Sequence, residues 1–254
     1  MLVIGGYSAY EGIYTMMTER DRYPAFRIPT VCIPASIDNN LPGSELSIGT
    51  DTALNVIVEA MDKIKESGIA SRRCFVVETM GRDCGYLALM SGIAAGAERI
   101  YTNEDGISLD DLANDVHWLR ELFAHGRRLF LAVRNENASH NYTTDFIARL
   151  LEEESHGMYD VRQVVLGHMQ QGGSPSPFDR LLANRLGYRA LNLIDDELAA
   201  HQDGSWFIGV NESGMRPCSM DTMPSLIDAA HRRPREQWWL QLRTIARMVS
   251  DEVR

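Results

Sequence analysis

The sequence predicts an α/β fold with parallel strands, and three observations carry that prediction. Short β-rich apolar runs alternate with helical stripes, the runs are continuously apolar rather than alternating, and polar or glycine-bearing loops follow them. In chain order the runs are Leu2-Val3-Ile4, Thr30-Val31-Cys32-Ile33, Cys74-Phe75-Val76-Val77, Arg128-Leu129-Phe130-Leu131-Ala132-Val133 and Val164-Val165-Leu166, all read as buried parallel strands. Between them Ala53, Leu54, Ile57, Val58, Met61 and Ile64 form one helical stripe. Ser108 with Asp111 opens a second helix as a capping box, with Leu109, Leu112, Val116, Leu119 and Leu122 along it. A third helix begins near Pro177. Trp238-Trp239 with Leu240, Leu242, Ile245 and Met248 read as an amphipathic final helix docked on the body.

Composition narrows the function classes. The 254 residues, 44% of them hydrophobic, suffice for one large domain or two lobes. A net charge of −10 repels polyanions, which argues against nucleic acid or an acidic membrane as partner, so any anion site must be a local cluster. The four cysteines, Cys32, Cys74, Cys84 and Cys218, have neither metal-site spacing nor the density of a disulfide scaffold, and reduced buried thiols in the cytosol are the expectation. No apolar run approaches the roughly 20 residues of a membrane span, and Met1 leads into a strand rather than a basic leader.

The chemistry is concentrated in loops at strand carboxyl ends, where open α/β sheets collect ligands. Gly5-Gly6 alone reads as a plain turn. Pro34-Ala35-Ser36-Ile37-Asp38-Asn39-Asn40 crowds a hydroxyl, a carboxylate and two amides; it reads equally as an Asx-rich turn or as a site that binds a sugar hydroxyl and takes its proton. Met80-Gly81-Arg82 allows close backbone approach at Gly81 and offers Arg82 as a forked phosphate donor, or as a surface ion pair. His168-Met169-Gln170-Gln171-Gly172-Gly173-Ser174-Pro175 sets an imidazole, amides and a glycine pair before a helix; taken alone it is a turn with a satisfied histidine. The basic run His231-Arg232-Arg233-Pro234-Arg235 is a solvated helix start or an anion contact.

Taken together, Ile4-Gly5-Gly6, the 34–40 loop, Glu78-Thr79-Met80-Gly81-Arg82-Asp83-Cys84-Gly85-Tyr86 and Val165-Leu166-Gly167-His168-Met169-Gln170-Gln171-Gly172-Gly173-Ser174-Pro175 resemble the 6-phosphofructokinase family over nearly the whole chain. Gly6-Tyr7-Ser8-Ala9-Tyr10, Arg134-Asn135-Glu136, Asn141 to Phe146 and His231 to Trp239 resemble the C-terminal, chiefly regulatory half of the duplicated animal and fungal enzymes. The resemblance implies two Rossmann-like lobes with parallel sheets: a nucleotide-type lobe of 1–49 plus 170–215, incomplete at its start because an opening strand and phosphate loop precede it in the family, and a sugar-phosphate lobe of 50–169 plus 216–254, with the pocket between them. It implies a parent enzyme that transfers phosphate from MgATP to fructose 6-phosphate, assembled with its other half and further subunits. This half is expected to bind a fructose phosphate or bisphosphate and to hold neither magnesium nor ATP by itself.

Residue by residue, the resemblance puts Ser36, Ile37, Asp38, Asn39 and Asn40 around the sugar end, with Asp38 at the position of the catalytic base. Met80, Gly81 and Arg82 continue that wall, and Glu136 accepts from sugar hydroxyls. Arg162 and His168 take the 6-phosphate with Arg73 from a neighbouring subunit or half. Met169, Gln170 and Gln171 complete the site, and Arg232 adds charge to its regulatory version. Three departures matter. Tyr7 and Ser8 stand where active halves hold magnesium, and Gln171 stands where they have arginine; Asp38 and Arg82, by contrast, match an active half. A catalytically competent half using Asp38 is the alternative. A pyrophosphate-dependent kinase is disfavoured by Ala35, where those relatives carry lysine.

Overall fold

The computed structural model describes residues 1–68, 70–211 and 213–249. Its elements run β1 (Leu2–Gly5), α1 (Tyr7–Thr18), β2 (Thr30–Pro34), α2 (Thr50–Gly68), β3 (Arg73–Thr79), α3 (Tyr86–Ala95), β4 (Arg99–Tyr101), α4 (Leu109–Ala124) and β5 (Leu129–Asn135). They continue with α5 (Thr144–Glu153), β6 (Asp160–Val165), α6 (Pro177–Ala199), β7 (Ser205–Asn211), β8 (Gly214–Ser219), α7 (Met223–Leu226), β9 (Ile227–Asp228), β10 (Arg233–Pro234) and α8 (Arg243–Val249). The chain divides into two compact units, Met1–Thr52 with Ser174–Trp238, and Ala53–Gly173 with Trp239–Arg254. Residues 250–254 of the expected second lobe lie outside the described residues.

The first unit is built on a sheet of order β1-β2-β7-β8, parallel from β1 to β7 and closed by an antiparallel β7–β8 hairpin. Each face is covered. Tyr7, Tyr10 and Ile13 of α1 pack with Cys32 and Phe207 on one side, while Leu182, Leu186, Ala190 and Leu193 of α6 pack with Val31, Ile33 and Ile208 on the other. The alternation of Val31, Cys32 and Ile33 between two cores is why this run is apolar throughout. The hairpin carries 216–219 into the first unit, and 220–238 follow it there, whereas the sequence places 216–254 in the second lobe.

The second unit holds an all-parallel sheet of order β4-β5-β3-β6. Cys74, Val76, Phe130 and Ala132 face α4 and α5 through Leu112, Leu119, Phe123, Ile147 and Leu151. The Ser108 and Asp111 capping box forms as predicted. Trp239 is buried with its ring edge-on to Tyr86, 5.8 Å between centroids, which docks the final helical segment.

Two of the five predicted strands are parallel but not buried. Among the described residues β1 pairs with β2 alone and β6 with β3 alone, and Ile4 and Val165 are 62% and 59% exposed. An apolar run does not distinguish a central strand from an edge. Among the described residues, no helix is long and apolar enough to cross a membrane.

Candidate functional site

In the first unit the site residues lie in the loop that leaves β2 at Pro34. A parallel bridge between Ala35 and Ile48 closes its neck, with Ser36 N donating to Ile48 O at 3.1 Å and Thr50 Oγ1 to Ser36 O at 2.8 Å. Inside the neck, Asp38 N donates to Ser36 Oγ at 3.2 Å. Asn39 takes a left-handed conformation, φ 52°, and its amide braces the turn: Nδ2 donates to Glu45 O at 2.7 Å and Oδ1 accepts from Ser47 N at 2.8 Å. Asn39 is therefore committed to the loop's own shape. Asp38 is 9% exposed beside it, and Asn40 Nδ2 donates to Arg232 O at 3.0 Å. The Asn40 Oδ1 atom is buried with no hydrogen-bond partner among the described residues.

The loop is seated from below by two features the sequence did not single out. Asp179, 3% exposed at the start of α6, accepts from Gly49 N, Thr52 N and Thr52 Oγ1 at 2.9, 2.8 and 2.5 Å. Gly43 and Gly209 meet backbone to backbone, since a Cβ on Gly209 would fall 1.6 Å from Gly43 O. Arg232, itself left-handed at φ 50°, pairs with Glu11 at 2.6 Å and sits 4.8 Å over the Tyr7 ring. Burial raises the Tyr7 phenol above its ordinary pKa, with Glu11 adding to the rise.

In the second unit, residues after β3 and β5 form one bonded cluster with the 167–171 segment. Gly81, φ 131°, and Arg82, φ 51°, turn the chain so that both amides donate to Glu136 Oε1, at 3.1 and 2.7 Å. A Cβ on Gly81 would lie 2.4 Å from Cys84 O, so no other residue fits this turn. Met80 N donates to Gln170 Oε1 at 3.2 Å, and Gln170 Nε2 to Gly167 O at 2.9 Å; Gln170 is buried while His168, Met169 and Gln171 are exposed.

Behind the cluster stands Arg134, 1% exposed, which the sequence marked only as part of a family loop. Its guanidinium donates to Glu78 Oε2 and Glu136 O at 2.9 Å each, to Tyr142 O at 3.2 Å and to Ser139 O at 2.5 Å. Desolvation lowers its pKa, opposed by the Glu78 carboxylate. The signal that would have found it is an arginine ending an otherwise apolar central strand, since a buried cation needs a full set of acceptors.

The predicted phosphate arginines lie elsewhere in this unit. Register pairs Arg73 with Asp160 and Phe75 with Arg162, so Arg73 and Arg162 occupy the same face of neighbouring strands, near the amino-terminal ends. Arg162 stands five residues ahead of Gly167, on the order of 15 Å along extended chain. The structure thus places Arg162 on the sheet face that carries Arg73, ahead of the turn that carries His168. Arg162 is exposed, donates to Val161 O at 2.8 Å and lies 3.8 Å from Asp160, while Arg73 donates to Ser67 O at 3.3 Å.

Comparison with known proteins matches these features to one family. The family profile described as Phosphofructokinase covers residues 1–194. The chain is 42% identical over 98% of its length to the platelet-type ATP-dependent 6-phosphofructokinase of Rattus norvegicus, and 42% identical over 98% to the human muscle type. It spans about a third of those relatives, 33% and 34% of their lengths. Among solved structures it superimposes on phosphofructokinase from Saccharomyces cerevisiae with a TM-score of 0.94 at 34% identity, over 99% of this chain and 35% of that one. A pyrophosphate-dependent phosphofructokinase from Marinobacter aquaeolei, at 18% identity and a TM-score of 0.70 over 96% of this chain and 67% of that one, shares the fold. The loops after β2, β3 and β6, the two parallel-stranded units and these matches agree: the chain belongs to the phosphofructokinase family.

Proposed function

We propose that this chain is the C-terminal, regulatory-type half of a duplicated ATP-dependent 6-phosphofructokinase, and that it binds a fructose phosphate or bisphosphate as an effector. The whole enzyme would act in the cytosol, moving the γ-phosphoryl group of MgATP to the 1-hydroxyl of fructose 6-phosphate. The observation that carries the regulatory reading is Tyr7. It follows Gly5-Gly6 at the first position of α1, 8% exposed in the apolar core with Tyr10 and Ile13. A phenol, whose pKa burial raises further, offers magnesium no hard anionic oxygen, so Tyr7 does not fit a magnesium ligand of MgATP. Arg232 over that ring supplies a cation where the active version needs an anion.

On this reading Ser36, Ile37, Asp38 and Asn40 contact the sugar end, with Asn39 holding their loop. Met80, Gly81 and Arg82 form a wall, and Glu136 offers Oε2 to a sugar hydroxyl while Oε1 holds the turn. His168, Met169 and Gln171 contact the phosphate end, with Gln170 as their brace. The shared face of Arg73 and Arg162 supports their acting as a pair, presented to a neighbouring subunit or half. A charged hydrogen bond contributes roughly 1.5–3 kcal/mol, so a few arginines suffice to hold a phosphate within an acidic protein.

The test is calorimetric titration of fructose 6-phosphate and fructose 2,6-bisphosphate into the assembled protein, with and without Arg162→Ala. The substitution is expected to weaken binding about ten- to a hundredfold; unchanged affinity removes Arg162 from the site. Turnover of fructose 6-phosphate with MgATP by the 254-residue chain, above that of Tyr7→Ala, would overturn the regulatory reading. It would favour the second one, a competent half with Asp38 as base, which the buried Asp38 and the exposed Arg82 support.

A further inference from the structure

Among the described residues, α6 buries one face in the first unit and leaves another uncovered. Leu182, Leu186, Ala190 and Leu193 are in the core, whereas Leu181, Tyr188, Leu191 and Leu198 are 64, 71, 54 and 55% exposed. With Asn184 and Asp195 the exposed set falls at 181, 184, 188, 191, 195 and 198, alternating steps of three and four residues. That is the seam of a helix that packs along another helix, and it differs from the scattered single apolar residues of an ordinary surface.

The seam reads the same in both directions about a point between Arg189 and Ala190. Leu181 answers Leu198, Asn184 answers Asp195, and Tyr188 answers Leu191. The charges do not share that symmetry: Arg180, Arg185 and Arg189 lie in the first half of the helix, Asp195 and Asp196 in the second. An antiparallel copy therefore sets large side chains against large ones and the basic half over the acidic half, while a parallel copy stacks like charges. Gly187 adds an independent sign. It sits mid-helix, where glycine is unfavourable, yet a Cβ there would meet nothing within 4 Å, so no contact among the described residues requires it. Beside the centre of the seam, its missing side chain lets a second backbone approach.

We propose that this face of α6 is an association surface for a second copy of this chain, the two α6 helices lying antiparallel with Tyr188 of each copy against Leu191 of the other. The surface is isologous, the same patch serving both partners.

The test is the mass of the 254-residue chain in solution by sedimentation equilibrium, over a concentration series. The wild-type chain is expected to dimerise, and Leu191→Asp to remain monomeric with an unchanged circular dichroism spectrum. Gly187→Leu separates the proposal from a merely structural role: it should raise Tm, through better helix propensity, while weakening the dimer. Arg185→Asp should loosen the dimer about tenfold or more, and adding Asp195→Arg should restore it. Oxidation of mixed Leu181→Cys and Leu198→Cys chains should link unlike chains, as antiparallel pairing demands. A wild-type chain that stays monomeric throughout, a dimer indifferent to Leu191→Asp, or cross-links between two Leu181→Cys chains would each overturn the proposal.

Discussion

The loop after β2 and the loop after β3 both bend through a non-glycine residue in the left-handed region, Asn39 at φ 52° and Arg82 at φ 51°. They are held in different ways. Asn39 is a residue that tolerates this conformation, and its own side chain fixes the turn through Glu45 and Ser47, six and eight residues away. Arg82 has no such tolerance. Its backbone amide is held by Glu136, 54 residues away at the end of a neighbouring strand, and Glu136 is in turn placed by Arg134. The first loop is thus encoded largely in its own sequence. The second takes its shape only once β3 and β5 have paired.

Disrupting Arg134 tests this contrast most severely. Arg134→Met removes a buried cation from beside Glu78 and is expected to destabilise the protein by about 3–5 kcal/mol in urea denaturation. Hydrogen exchange should rise across 78–85 and 134–144 and stay unchanged across 36–48. Equal loosening of both loops would show that the two are not independently held.

A pair of milder substitutions sharpens the comparison. Asn39→Ala loses two hydrogen bonds and incurs the left-handed penalty, together about 2–3 kcal/mol, whereas Asn39→Gly keeps the conformation and should cost about 1 kcal/mol less. In the other loop Glu136→Ala should cost about 1–3 kcal/mol by leaving the Gly81 and Arg82 amides without their acceptor. Identical midpoints for Asn39→Ala and Asn39→Gly would mean that the side-chain bonds alone stabilise the first loop.

The smallest effect concerns charge rather than shape. Two like charges about 5 Å apart repel by roughly 3 kcal/mol at an effective dielectric near 20, before salt reduces it. Asp38→Ser is therefore expected to tighten fructose 2,6-bisphosphate about fivefold at low salt and to change fructose 6-phosphate much less. Weaker bisphosphate binding in the titration would show that the Asp38 carboxylate serves as an acceptor for the ligand's hydroxyls.

Much of this contrast is visible from the sequence for the first loop and little for the second. Ser36, Asp38, Asn39 and Asn40 stand together within five residues, and short polar side chains in such a cluster have few partners other than their own backbone and a ligand. The Glu136 bonds to Gly81 and Arg82 join segments with no local relation. The same limit applies to Arg162: it stands six positions before His168, with the end of a strand between them, and only the β3–β6 register shows that it shares a face with Arg73.

By itself the sequence determined the α/β class, the places where strands give way to polar loops and the Ser108 capping box, because each depends on residues close together in the chain. Tertiary structure decided how the strands are ordered, where the β7–β8 hairpin carries 216–219, which arginine is a buried hub and which is an exposed cation. Those outcomes depend on strand order and on contacts between distant segments, and an apolar run or a lone arginine reads the same whichever neighbour it acquires.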